Sequence, residues 1–91
     1  KVGQIYEGII SGVTNWGIYV ELPNTIEGMV ALSQMDDDYY EFDEKKMLVF
    51  GKRTKKSYRL GDKVVVSVAK VDRMMGTIDF VFEEENEDFQ E

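Results

Sequence analysis

Two aromatic side chains and one run of cations carry most of the chemistry open to this chain. Trp16 and Tyr19 stand in the stretch Ser11-Gly12-Val13-Thr14-Asn15-Trp16-Gly17-Ile18-Tyr19-Val20-Glu21-Leu22. Seven of the eleven bases (Lys45, Lys46, Lys52, Arg53, Lys55, Lys56 and Arg59) fall between residues 45 and 59, with no acid among them. Exposed rings side by side stack on flat ligands, of which nucleobases are the commonest, and clustered cations attract phosphates. Each feature also has a plainer reading. Aromatics pair across strands simply to stabilise a sheet, and a basic run is often a solvated hairpin. The two signals reinforce each other only if they share a face, which spacing does not decide.

Other chemistry is excluded or disfavoured. The chain has no histidine and no cysteine, which removes the usual general base, the triad logic, thiol chemistry and the commonest zinc ligands. Asp36-Asp37-Asp38 offers clustered carboxylates, but the spacing is wrong for an EF-hand loop and successive residues of an extended chain point in alternating directions. A solvated acidic loop is the expectation there, with no metal. The glycines are scattered singly and form no phosphate-cradling loop. Ninety-one residues fit one domain, with too little chain for a deep active site. No catalytic residue and no cofactor are expected.

The formal charge of -7 conceals a segregated pattern. Residues 36–44 hold six acids and residues 83–91 six more, twelve of the eighteen in all, on either side of the basic run. Contact within a Debye length of about 8 to 10 Å is governed by the local patch, so net charge is a poor guide to partners. No apolar run approaches a membrane span, and the opening residues do not resemble a signal peptide. The expectation is a cytoplasmic domain without a membrane partner, monomeric in isolation. A start at Lys1-Val2-Gly3 rather than methionine suggests a piece of a longer protein.

The elements that must position these residues are strands. After Gly17 the chain alternates, with Ile18, Val20 and Leu22 on one face and Tyr19 and Glu21 on the other. Tyr19 therefore points outward. Trp16 has the core-facing parity unless a bulge at Gly17 swings it to the side of Tyr19. Residues 4–13 read as a first strand that coils at Gly8 and Gly12, residues 17–22 as a second, and residues 27–31 as a third. Leu32-Ser33-Gln34-Met35 suits a single short helical turn. In the long insert, about residues 36–62, Met47-Leu48-Val49-Phe50 and Lys56-Ser57-Tyr58-Arg59 are placed to pair across Gly51-Lys52-Arg53-Thr54. Tyr39, Tyr40 and Phe42 would anchor the acidic part to the barrel. Residues 63–72 form the longest strand, Arg73-Met74-Met75-Gly76 a turn, and residues 77–82 the last strand, with Ile78, Phe80 and Phe82 inward. Residues 83–91 form an acidic tail too poor in apolar residues to order itself. The pattern predicts an all-β fold over residues 1–82, a five-stranded antiparallel Greek-key OB-fold barrel with an inserted hairpin between its third and fourth strands.

Residues 12–22, then Ile26-Glu27-Gly28-Met29-Val30-Ala31-Leu32-Ser33, Tyr58-Arg59-Leu60-Gly61-Asp62-Lys63-Val64 and Val71-Asp72-Arg73, resemble the ribosomal-protein S-one type of RNA-binding domain in order and spacing. The insert Asp37-Asp38-Tyr39-Tyr40-Glu41-Phe42-Asp43-Glu44, with Gly51, and the closing Ile78-Asp79-Phe80 are similar to those of bacterial ribonuclease R. The resemblance implies single-stranded RNA as partner. It also implies a parent 3'-to-5' exoribonuclease whose magnesium-dependent catalytic domain and cold-shock domains lie elsewhere. It places the stacking aromatics at Trp16 and Tyr19 and the loop aspartate at Asp72. The chain departs from the family at Ala31, where histidine is frequent, and at Thr77, where a base is frequent. Lys70, Arg73 and the insert cations Lys52, Arg53, Lys55 and Lys56 are the expected compensation. The competing reading is a protein-interaction module that docks through its acidic surface and insert.

Overall fold

The computed structural model describes residues 2–83, whose regular structure is strands but for one short helical turn. In chain order these are β1 (Ile5–Val13), β2 (Gly17–Glu21), β3 (Glu27–Ala31), β4 (Tyr40–Asp43), β5 (Leu48–Gly51), β6 (Ser57–Arg59), β7 (Lys63–Asp72) and β8 (Thr77–Phe82), with a single 3₁₀ turn, Leu32–Gln34, after β3. Residues 84–91, where the sequence predicts an acidic tail, lie outside the described residues. Five strands close a barrel in the order β1-β2-β3-β8-β7, and β4-β5-β6 form a separate sheet.

Alternation builds the core. Ile10, Val13, Ile18, Val20, Val30, Val66, Val68 and Phe80 point into the barrel and are buried, while their chain neighbours face out. Full burial of each such side chain is worth roughly 1.5 to 3 kcal/mol. Four seams of the barrel are antiparallel, and the fifth, between β3 and β8, is parallel with Met29 opposite Asp79. A ring of five strands cannot alternate in direction all the way round, so one parallel seam is unavoidable.

The expected bulge at Gly17 is not the device the fold uses. β2 pairs without interruption from Gly17 to Glu21 against β3. The register shifts lie instead in β1 between Ile10 and Gly12, and in β7 between Val68 and Lys70, so the extra residues are Ser11 and Ala69. Gly17 serves close approach: a Cβ there would sit 2.6 Å from the Val30 carbonyl oxygen and 2.9 Å from the Met29 side chain. The Val30 carbonyl belongs to the backbone ladder of β3, which yields little, whereas the half-buried Met29 side chain can shift.

The insert is a three-stranded sheet rather than a lone hairpin. β5 and β6 pair as expected, Val49 opposite Tyr58, across a loop one to two residues further along than the sequence suggests. The unforeseen strand is β4, which pairs with β5 from Tyr40 opposite Gly51 to Asp43 opposite Leu48. Tyr40, Phe42, Val49 and Tyr58 share its inner face and pack against the barrel core. Tyr58 stacks on Phe82 with ring centroids 4.6 Å apart and planes 3° from parallel. Tyr39 does not anchor the insert. It falls on the opposite parity and is 76% exposed.

Asp38 ties the two ends of this sheet together. Its carboxylate accepts hydrogen bonds from the Tyr39 N–H at 2.6 Å, the Arg53 N–H at 3.0 Å, the Thr54 N–H at 2.7 Å and the Thr54 hydroxyl at 2.6 Å. Desolvation pushes its pKa upward, but the Thr54 hydroxyl and the three N–H groups outweigh it and hold the carboxyl well below its ordinary 3.8.

Two predictions follow from this packing. Gly17→Ala should destabilise the barrel by roughly 1 to 3 kcal/mol through overpacking against β3; an unchanged urea midpoint would show that β3 moves aside freely. For Asp38, a depressed folded pKa means stabilisation that is fully present above about pH 4 and lost as pH falls through the folded value. Asp38→Asn should therefore melt lower than wild type at pH 7, and the gap should narrow as pH drops below about 4. A gap that is constant with pH would mean that the charge of Asp38 is irrelevant.

Candidate nucleic-acid interface

Thr14-Asn15-Trp16-Gly17 makes the tight turn between β1 and β2. The Thr14 N–H donates to the Gly17 carbonyl at 2.9 Å, while the Thr14 hydroxyl oxygen accepts from the N–H groups of Trp16 and Gly17, both at 3.1 Å. This turn, not a bulge, takes Trp16 out of the strand parity and leaves it 67% exposed. Its carbonyl accepts from the Leu32 N–H at 2.9 Å, which pins the turn to the start of the 3₁₀ turn. Tyr19 lies on β2, half-buried and on the outer face, between Gly12 of β1 and Met29 of β3. Gly12 brings no side chain against the Tyr19 ring; a Cβ there would reach it at 3.5 Å.

Strand register carries this outer face round the barrel. Tyr19 opposes Met29, Met29 opposes Asp79, and Asp79 opposes Lys70, a single row across β2, β3, β8 and β7. Three inter-strand steps of about 4.8 Å put Lys70 roughly 14 Å along the sheet from Tyr19. In the adjoining positions of the same face stand Ala31, opposite Gly17, and Thr77, opposite Asp72. The two departures from the family pattern thus fall on the face of Tyr19. Asp72 shapes the β7–β8 turn, accepting from the Met75 N–H at 3.0 Å through its side chain and from the Gly76 N–H at 2.8 Å through its carbonyl. Arg73 is exposed in that turn, beside Met74 and Met75.

The insert cations belong to the other sheet, and acids that precede them in the chain pair with two of them. Lys52 pairs with Glu41 at 2.9 Å and Lys56 with Asp37 at 3.4 Å, all four side chains roughly half exposed. The Arg53 guanidinium donates to the Asp37 carbonyl at 2.8 Å. Lys55 takes a positive φ of 66° in the loop and is exposed. Asp37 also accepts from the Tyr40 hydroxyl at 3.0 Å. Burial, the neighbouring Tyr58 phenol and this carboxylate all push the Tyr40 pKa up. Pairing between the acidic and basic blocks was not anticipated from the sequence, although the two lie end to end at 36–44 and 45–59, the arrangement that a hairpin folds together. Asp38, read as part of a solvated loop, is engaged by backbone and hydroxyl donors on both oxygens. Among the described residues no group of three or more Asp, Glu, His or Cys is placed to hold a metal ion.

Strand direction relates the two sheets. β1 ends, β2 begins and β3 ends at one end of the barrel, so the Trp16 turn and the first root of the insert leave from that end, while the second root enters β7 at Lys63, opposite Ile9 in the middle of β1. The hydrogen bond from Leu32 to Trp16 is the direct link between that turn and the first root.

A family model described as S1 RNA binding domain matches residues 1–81. Ribonuclease R 1 of Lactococcus lactis is 42% identical over 81 residues, which cover 89% of this chain and 10% of that relative. Ribonuclease R of Thermotoga maritima is 39% identical over 88 residues, 96% of this chain and 12% of the relative. The solved structure of Mycoplasma genitalium RNase R in complex with ribose methylated single-stranded RNA aligns with a TM-score of 0.83 at 25% identity, over 90% of this chain and 13% of that one. The chain spans about a tenth of the length of these curated relatives. With the barrel order, the aromatic pair and a match over almost its whole length in agreement, the chain belongs to the S1 RNA binding domain family.

Proposed function

We propose that the domain binds single-stranded RNA by stacking bases on Trp16 and Tyr19 and holds that strand for a hydrolytic 3'-to-5' exoribonuclease of the ribonuclease R type. Lys70, Asp72 and Arg73 flank the path on β7 and its turn, and Lys52, Arg53, Lys55 and Lys56 draw phosphates to the insert. Magnesium belongs to the parent's nuclease portion. The acidic stretch of this chain does not suit it, because Asp38 already accepts protein hydrogen bonds on both carboxylate oxygens. The observation that carries the reading is Trp16, a large ring left in solvent while four hydrogen bonds fix the backbone around it. A ring needed only for packing would be buried, since aromatic side chains bury 150 to 250 Å² on the order of magnitude typical of cores.

Exposed ion pairs do not disable the insert. Such pairs are worth about 0.2 to 1 kcal/mol, so Lys52 and Lys56 exchange a carboxylate for a phosphate at little cost.

Stacking contributes about 1 to 3 kcal/mol per base, so Trp16→Ala should weaken RNA binding roughly 5- to 150-fold with little change in melting. Unchanged affinity in a folded variant would end the platform reading. Replacing Lys52, Arg53, Lys55 and Lys56 together by glutamine removes up to four phosphate contacts. At about 0.7 per contact for single strands, the log-log salt slope should flatten by up to roughly 3 units, with a similar loss for every sequence. A quadruple variant that keeps the original slope would instead make the insert a docking surface for protein.

A further inference from the structure

Tyr39 is the most exposed aromatic ring among the described residues, and its backbone is among the most firmly held. Its N–H donates to Asp38, and its carbonyl accepts from the Lys52 N–H at 2.9 Å, which extends the β4–β5 ladder by one pair beyond Tyr40 opposite Gly51. Tyr39 and Lys52 are thus cross-strand neighbours. The ion pair between Lys52 and Glu41, two residues on from Tyr39, places all three on the outer face of the inserted sheet. The inner face is the one packed on the barrel; on the outer face Leu48 is buried and Phe50 half-buried, while Tyr39, Glu41 and Lys52 at the other end are exposed to solvent. Among the described residues no ring stacks on Tyr39, and its hydroxyl has no hydrogen-bond partner. A rigidly seated ring with a cation beside it repeats, on the second sheet, the combination of stacking and phosphate attraction that marks single-strand binding.

The two rings lie within reach of one strand. Trp16 is hydrogen-bonded to Leu32, and Tyr39 is seven residue steps from Leu32, a path of at most about 25 Å. Sites of 4 to 16 nucleotides are usual for a barrel of this class, and 12 stacked nucleotides extend roughly 40 Å.

We infer that Tyr39 is a second stacking position for single-stranded RNA, carried by the insert and separate from the barrel pair, with Lys52 holding the adjoining phosphate. The inference rests on the RNA-binding reading of the domain and adds a contact to it. Glu41 tempers the site by occupying Lys52.

The test measures affinity for a 12-nucleotide uridine strand by fluorescence anisotropy. Tyr39→Ala should bind about 5-fold or more weakly with an unchanged melting midpoint, while Tyr39→Phe, which keeps the ring, should bind like wild type. Glu41→Gln should bind more tightly. The losses in Trp16→Ala and Tyr39→Ala should multiply in the double variant, as separate contacts do. Trp16 is the one tryptophan of the chain, so the variant Trp16→Phe with Tyr39→Trp has a single reporter at position 39 whose emission should be quenched by the strand. Wild-type affinity in Tyr39→Ala, an equal loss in Tyr39→Phe, or an unquenched reporter overturns the inference. If Trp16→Ala also binds like wild type, the RNA-binding reading itself has failed; if only Tyr39→Ala does, that reading stands and the second position does not.

Discussion

A closed ring with an odd number of strands must contain a parallel seam, and most of the layout here follows from it. The seam falls between β3 and β8, so β3 cannot be followed by a hairpin to its ring neighbour. The chain must instead cross from the end of β3 to the start of β7, on the far side of the ring, and residues 32–62 make that crossing. The first root of the crossing lies at the end of the barrel where β1 turns into β2, which is where Trp16 stands, and the second enters β7 opposite Ile9 in the middle of β1. The start of the crossing and the exposed indole are therefore neighbours, and the Leu32 to Trp16 hydrogen bond records it.

The crossing is long enough to need its own order, and charge supplies part of it. A block of acids and a block of bases, consecutive in the chain, fold against each other so that Asp37, Asp38 and Glu41 meet Lys56, Arg53, Thr54 and Lys52. The strong element is Asp38, whose four donors include three backbone N–H groups that would otherwise lack partners in the loop. The ion pairs beside it are half exposed and contribute little. Apolar contact does the rest, through Tyr40, Phe42, Val49 and Tyr58 against the barrel.

Strand positions were legible in the sequence because alternation is a local property. β3, β7 and β8 have the predicted bounds, β1 and β2 differ by one residue at an end, and the inward set Ile78, Phe80 and Phe82 lies where period two puts it. Trp16 was rightly expected outside but for the wrong reason, since a threonine-capped turn and a bulge at Gly17 leave the same residue exposed. The bulges at Ser11 and Ala69 answer to barrel closure, a global demand that no local pattern marks. β4 was missed because Tyr40-Glu41-Phe42-Asp43 lies within an acidic stretch, where charge masks a two-residue apolar alternation. The same masking hid the phase of the stretch, so Tyr39 was grouped with Tyr40 and Phe42 although it has the opposite parity. On β7 the resemblance pointed to Asp72, with Lys70 named only as compensation, and only register could show that Lys70 shares a row with Tyr19.

That row also explains why the insert matters to the proposed function. The outer face around Tyr19 carries Glu21, Glu27 and Asp79 beside Lys70, with the uncharged Ala31 and Thr77 in the adjoining positions. Glu21 and Glu27 even oppose each other directly across β2 and β3, a repulsive arrangement eased by the Ser11 hydroxyl, which donates to Glu27 at 2.6 Å. Such a face offers rings for bases but little attraction for phosphates. Stacking works without net charge, whereas drawing a polyanion to a protein with an excess of acids requires a local cluster of the opposite sign. The only long run of bases in the chain is on the insert, and the crossing that carries it starts at Leu32, hydrogen-bonded to Trp16. On this reading the barrel supplies stacking and the insert supplies charge, and neither sheet alone has both.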